Sequence, residues 1–195
     1  MVRSKGADAL VDAFVQKVNV RRHERKPPED VPPFLRQVPH GDEPDGWTDW
    51  RILGADNSAS IRGLESRIGR PFPSAYRSLI ARYCFPAFEC GPVLFFANTG
   101  QNTSYDLSTR LFVDRHMSPV LLEAGYIQIG NPYSGNYDPV CLATTASRRE
   151  PPVIQLDHES ILQFGKIKKV TEIARSFVHL LNRLVHGDVM PDTVG

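Results

Sequence analysis

Cysteine is scarce in this chain. Cys84, Cys90 and Cys141 make an odd three, and none belongs to a Cys-x-x-Cys pair, so neither a disulfide framework nor the ligand spacing of a zinc site is signalled. Reduced thiols in a cytoplasmic protein are the expectation. A long apolar run is missing too: nothing approaches the roughly 18 residues of a membrane-spanning helix. Near the start, Asp8 and Asp12 interrupt the stretch that a signal peptide would need to keep apolar. Charge of one sign is also lacking. Lys plus Arg (23) balances Asp plus Glu (22) to a net charge of +1, far from the basic excess of proteins that bind phosphate backbones. Neither nucleic acid nor membrane insertion is therefore expected. Gly-x-Gly-x-x-Gly and Gly-x-Ser-x-Gly do not occur, and the spacing of Gly130 and Gly135 lacks the Lys and Ser/Thr of a phosphate loop. No cofactor and no metal are implied.

What is present is ordinary core material: 41% of residues are hydrophobic and 23% charged, which excludes disorder of the whole chain. The segment from Ile127 to Glu159 reads as three short strands joined by polar turns. Ile127 and Ile129, then Val140 to Ala143, then Val153, Ile154 and Leu156 supply the apolar runs. Asn131-Pro132 and Gly135-Asn136 read as turns. Pro139 and Pro152 stand where a strand opens and a missing N–H does least harm.

Taken in order, residues 7–20 place Leu10, Val11, Phe14, Val15 and Val18 at helical spacing, an amphipathic helix whose stripe needs a partner surface. That surface is either the main domain or a second copy, so a homodimer through the N-terminal helix is one option. Residues 21–46 combine a charge run with six prolines, a composition that bars a regular helix or central strand. They read as a solvated arm with Phe34 and Leu35 pinned to the core. Trp47, Trp50, Ile52 and Leu53 then bring apolar surface. Asn57 or Ser58 opens a helix carrying Ile61, Leu64 and Ile68, which Gly69 stops, and a second helix starts near Ser74 after a Pro-rich elbow. Val93 to Ala97 reads as a buried strand, whereas 107–113 and 120–124 are ambiguous between helix and turn. Thr171 reads as the N-cap of a closing helix with Ile173, Ala174, Phe177, Leu180, Leu181 and Leu184 along one face.

These residues resemble the SUKH superfamily, which includes fungal cell-wall regulators of the Smi/Knr type and many bacterial immunity proteins. The resemblance runs from about Trp50 to Leu184. It is carried by Ile61-x-x-Leu64-Glu65-x-x-Ile68-Gly69-Arg70-Pro71-Phe72-Pro73-Ser74-Ala75-Tyr76, by Ile127 to Gly130, by Asp138-Pro139-Val140-Cys141-Leu142, by Val153-Ile154-x-Leu156-Asp157-His158-Glu159, and by Ala174-x-Ser176-Phe177-x-x-Leu180. The apolar Cys84-Phe85-Pro86-Ala87-Phe88 departs from the family's small polar turn. The resemblance implies an α+β domain with helices packed on one twisted antiparallel sheet, and recognition of a protein partner, a toxin domain, without catalysis. The expected organisation is an N-terminal helix and Pro-rich arm over 1–46, the α+β domain over 47–187 and a tail over 188–195. About four to six strands are expected, the usual sheet size. The expected core comprises Ile61, Leu64, Ile68, Tyr76, Leu79, Ile80, Leu94, Phe96, Ile129, Val140, Leu142, Ile154, Leu156, Phe177 and Leu181.

For chemistry, the densest group is Asp157-His158-Glu159, with Asp138 and Cys141 across the sheet. Read as a strand, it points Asp157 and Glu159 one way and His158 the other, which splits the cluster. Structural polar roles are therefore assigned to Asp138, Asp157, His158 and Glu159, with a metal- or thiol-dependent hydrolase using Asp157, His158, Glu159 or Cys141 as the rival. Recognition is assigned to loops, which vary while strands hold them in place. Asn98, Gln101, Asn102 and Tyr105 on one loop, and Asn131, Tyr133, Asn136 and Tyr137 on another, mix adaptable hydrogen bonding with rigid aromatic area. Residues 144–150 form a third candidate loop.

Overall fold

The computed structural model of the chain describes residues 5–20, 25–37, 46–101, 104, 106–133, 135–145 and 150–187. It opens with α1 (Lys5–Val20), followed by two short 3-10 turns at Pro28–Asp30 and Pro33–Leu35. Strand β1 (Leu53–Gly54), helices α2 (Ser58–Ile68) and α3 (Ser74–Arg82) and strand β2 (Tyr83–Cys84) come next. Strands β3 (Phe88–Cys90) and β4 (Val93–Phe95) precede helices α4 (Leu107–Val113) and α5 (Met117–Glu123). The remainder is β5 (Tyr126–Pro132), β6 (Val140–Ala143), β7 (Val153–Leu156), α6 (His158–Phe164), β8 (Val170–Ala174) and α7 (Phe177–His186). Strands β3 to β8 form one six-stranded antiparallel sheet in sequence order, and β1 pairs with β2 apart from it. The fold is α+β with an open sheet.

Local chemistry explains most boundaries. Gly69 at φ +71° closes α2 in the left-handed conformation that lacks steric cost only for glycine. At the elbow, one Glu65 oxygen accepts from Phe72 N (3.0 Å) and Arg77 Nε (2.9 Å), tying α2 to α3. Pro139 and Pro152 sit just before β6 and β7, as expected, and their carbonyls accept from Leu156 N and Ala143 N at 3.0 Å. Gly130 is needed where β5 crosses β4, because a Cβ there would lie 2.2 Å from Leu94 O.

The sheet carries helices on both faces. Val93, Phe95, Ile127, Ile129, Val140, Leu142, Val153 and Ala174 face the larger core, shared with α1, α3 and α7. Phe14, Tyr76 and Phe177 meet there edge-on: Phe14 lies 6.3 Å from Phe95, and Phe177 lies 5.2 Å from Tyr76 and 6.4 Å from Phe95. Cys141, Ala143, Ile154 and Leu156 face the other side and pack with Leu121 of α5 and Ile161 of α6.

The N-terminal helix and the stretch after it pack on the main domain. Val11, Phe14, Val15 and Val18 belong to the same core as the sheet, so α1 spends its stripe on the main domain, the first of the two options, and the apolar face that the second option, a homodimer, would use is already occupied. Val31 and Leu35 are fully buried as well, whereas Phe34 is 46% exposed. The proline-rich stretch is held against 46–51 by backbone bonds, Thr48 N to Lys26 O at 2.7 Å and Arg51 N to Leu35 O at 3.0 Å among them. Residues 21–24, 38–45 and 188–195 lie outside the described residues.

Three further readings are corrected. Thr171 is not a helix cap: 170–174 is strand β8, and the cap of α7 is Ser176, whose hydroxyl accepts from His179 N at 3.0 Å. Asn131 and Pro132 end strand β5 and do not form a turn. Of the expected core, Leu94 is only half-buried, since it points to the opposite face from Val93 and Phe95. The two ambiguous stretches are the helices α4 and α5.

Candidate functional site

The loop after β4 is built for structure. Asn98 is buried, and its Nδ2 donates to Ile80 O and Tyr83 O, both at 2.7 Å. Asn57 Nδ2 donates to the same two carbonyls, at 3.1 and 3.2 Å, so the two amides together close the junction of α3 and β2, and the Asn98 side chain is turned inward. Asp106, 1% exposed, gathers the rest. One oxygen accepts from Thr99 N and Thr99 Oγ1 at 2.8 Å and from Gly100 N at 3.2 Å. The other accepts from Ser108 N (3.0 Å) and Ser108 Oγ (2.7 Å), capping α4. Gln101 is exposed beside this knot. Asn102 and Tyr105 lie outside the described residues.

The loop between β5 and β6 has a different character. Asn131 is half-buried in β5 and Asn136 is exposed. Tyr133 is 48% and Tyr137 74% exposed. The backbone under them is nonetheless fixed. Tyr133 N donates to Pro92 O (3.1 Å), and Gly135, at φ +74°, donates to Pro132 O (3.3 Å). Asn136 Oδ1 accepts from Asp138 N and its Nδ2 donates to Asp138 Oδ2, both at 3.1 Å. The Tyr137 ring stands edge-on to His158 at 6.1 Å.

Asp138 anchors this turn to the next strand and helix. Its Oδ1 lies 2.7 Å from His158 Nδ1 and accepts from His158 N at 3.1 Å, while Oδ2 accepts from Gln155 Nε2 at 2.7 Å. Burial alone would push the Asp138 carboxyl up, but the bonds from His158 and Gln155, with the charge of His158, together hold it below the ordinary carboxylate range. Asp157 does not continue β7. It is the N-cap of α6, accepting from Ser160 N at 3.0 Å and from the Ser160 hydroxyl, which lower its pKa. His158 and exposed Glu159 are thus the first helical residues, and the strand alternation expected for 157–159 does not apply.

Cys141 is fully buried on the α5/α6 side of the sheet, and burial pushes its thiol strongly up. A thiol held protonated is a poor nucleophile. Among the described residues no group of three or more His, Cys, Asp and Glu is placed to hold a metal ion, and no helix is long and apolar enough to cross a membrane. Of the third loop, 146–149 lies outside the described residues; Glu150 accepts from the Ser74 hydroxyl and from Ala75 N (3.2 Å) at the start of α3.

Of the predicted residues, then, the structure gathers Asn136, Tyr137 and Asp138 into one turn, with His158 of α6 against it and Tyr133 beside it. It sends Asn98 inward and gives Asp157 to a cap. Asp106 and Gln155 were missed. The Asp106-x-Ser108 spacing is a helix-cap signature that could have revealed the first, whereas nothing local marks a Gln in a strand as a carboxylate's partner. No family model matches the chain, and no curated protein matches it.

Proposed function

We propose that this chain is a non-catalytic, cytoplasmic protein-binding domain of the SUKH type, an immunity protein that neutralises a toxin domain. The observation that supports it is the braced turn between β5 and β6, at 133 and 135–138. Two tyrosines present large aromatic area to solvent above a backbone already fixed by Pro92, Pro132, Asn136 and Asp138. Ordering costs are therefore met before a partner arrives, which is the condition under which aromatic anchors give the most affinity. The resemblance supplies the class of partner.

The test is co-expression with the toxin domain encoded beside the chain's gene. Wild type should restore growth, and the double substitution Tyr133→Ala, Tyr137→Ala should abolish protection. Its affinity should fall by about 2–4 kcal/mol, as hot-spot truncation does, with the melting temperature unchanged. Protection that survives the double substitution sinks this reading of the surface. Absence of an adjacent toxin gene turns the argument towards a regulatory scaffold of the fungal type.

The Asp138–His158 pair favours a second reading, since a carboxylate on Nδ1 orients an imidazole for acid–base work. A hydrolase of this kind needs a nucleophile in reach. Cys141 is buried and the Ser160 hydroxyl is bonded to Asp157, so the binding reading is preferred. Hydrolysis of ester or peptide substrates that disappears in His158→Ala would reverse the preference.

A further inference from the structure

Strand β8 is an edge of the six-stranded sheet, and among the described residues nothing pairs with its outer side. Residues 168–172 are all exposed. The side on which each backbone group points follows from the ladder. Asp157 N donates to Lys169 O, so the polar groups of Lys169 point at the chain leading out of β7. With alternation, those of Thr171 do the same, and those of Val170 and Glu172 point outward. The register, Leu156 opposite Val170 and Ile154 opposite Glu172, shifts at Ile173. Ile173 O is occupied by Arg183 Nη1 at 3.0 Å. The free edge therefore runs from Lys168 to Glu172 and stops there.

We propose that this edge pairs with the same edge of a second copy, antiparallel, about a two-fold axis at Val170. Only outward-pointing residues can exchange hydrogen bonds, so an axis that forms at least two such pairs passes through Lys169, Val170 or Thr171; at Lys169 the two Lys169 side chains would lie opposite each other, a like-charge match. With the axis at Thr171, Val170 meets Glu172 of the second copy and Lys169 meets the bulged Ile173, an unfavourable match. With the axis at Val170, the two valines face each other and Lys168 faces Glu172 of the second copy, twice. Opposite charges directly across an antiparallel pair stabilise it and like charges oppose it. The Lys168 Nζ lies 3.3 Å over the ring of Phe164. Phe164 is 55% exposed, which places apolar area beside Lys168. Among the described residues neither Lys168 nor Glu172 has an ion pair. The contact is small, so the dimer is a reversible one.

Sedimentation velocity over a concentration series tests this. The mass of the wild type should rise from 21.9 kDa towards twice that value. K168E and E172K should each weaken association by about tenfold, the size expected when two cross-strand pairs turn repulsive, and K168E/E172K should restore it. V170P removes an outward N–H and should give a monomer. If V170P fails to fold, the charge variants, all at exposed side chains, still decide. On oxidation V170C should cross-link faster than T171C, the native cysteines being buried. A wild type that is monomeric at every concentration overturns the proposal, as does a dimer indifferent to both single charge reversals. Single reversals that dissociate the dimer without rescue in the double variant overturn the register. Loss of toxin protection in the tyrosine variant leaves this result untouched, so the two proposals fail separately.

Discussion

Asp138 serves three neighbours with two oxygens, and the composition of its turn gives no hint of that load. Asn136, Gln155 and His158 all donate to it, so Asp138→Asn, which keeps the shape but loses acceptor capacity and charge, should cost about 1–3 kcal/mol, the range for leaving such donors unmet. The pH dependence has a definite sign. A carboxyl whose folded pKa lies below its unfolded value of about 3.9 contributes fully above that value. The contribution is lost as pH falls through the folded pKa. Thermal melts between about pH 6 and pH 2 should therefore show wild type losing stability faster than Asp138→Asn at the acid end, the difference closing as Asp138 protonates. Residue type made Asp138 and His158 visible in the sequence, because charged groups beside a strand need partners. It hid Asn98, since an amide reads the same whether it meets a partner protein or the last carbonyls of a helix.

Helix α1 was legible as a helix and illegible as a component. The spacing of Val11, Phe14, Val15 and Val18 defines the stripe, but the surface that receives it is made by α3 and α7, far along the chain. Polar contacts add to the docking: Ser78 Oγ donates to Asp8 (2.6 Å), Tyr83 OH donates to Asp12 (2.7 Å), and Arg82 Nη2 lies 2.7 Å from Asp12. Burial and the Asp12 carboxylate push the Tyr83 hydroxyl up to about 12. Phe14→Ala should cost about 3–5 kcal/mol in urea unfolding, as for buried aromatics elsewhere. Val20→Ala, at a side chain 87% exposed, should change stability by less than about 0.5 kcal/mol. Strand β8 failed to show in the sequence for the opposite reason. Its residues 170–172 are exposed on both faces, so no alternation marks the strand, and Ile173 and Ala174 merge with the apolar pattern of α7.

At the scale of the molecule, one core joins residues from α1 to α7, while the smaller core under α5 and α6 lies on the other side of the same strands. Unfolding should accordingly be a single transition. Far-UV circular dichroism and the fluorescence of Trp50, which lies 5.5 Å from Phe88 in the larger core, should trace the same midpoint; an earlier loss of the tryptophan signal would argue that α1 and its surroundings open as a separate unit. The order in which the chain is made gives the arrangement a further meaning. The sheet grows strand by strand in the sequence of synthesis, each new strand finding its neighbour already in place. Helix α1, made before α3 and α7, has no such neighbour. Lys17 Nζ is bonded to Val185 O at 2.8 Å, 168 positions downstream, so α1 leaves the ribosome with its apolar stripe bare and stays a potential client for chaperones until α7 has followed it out.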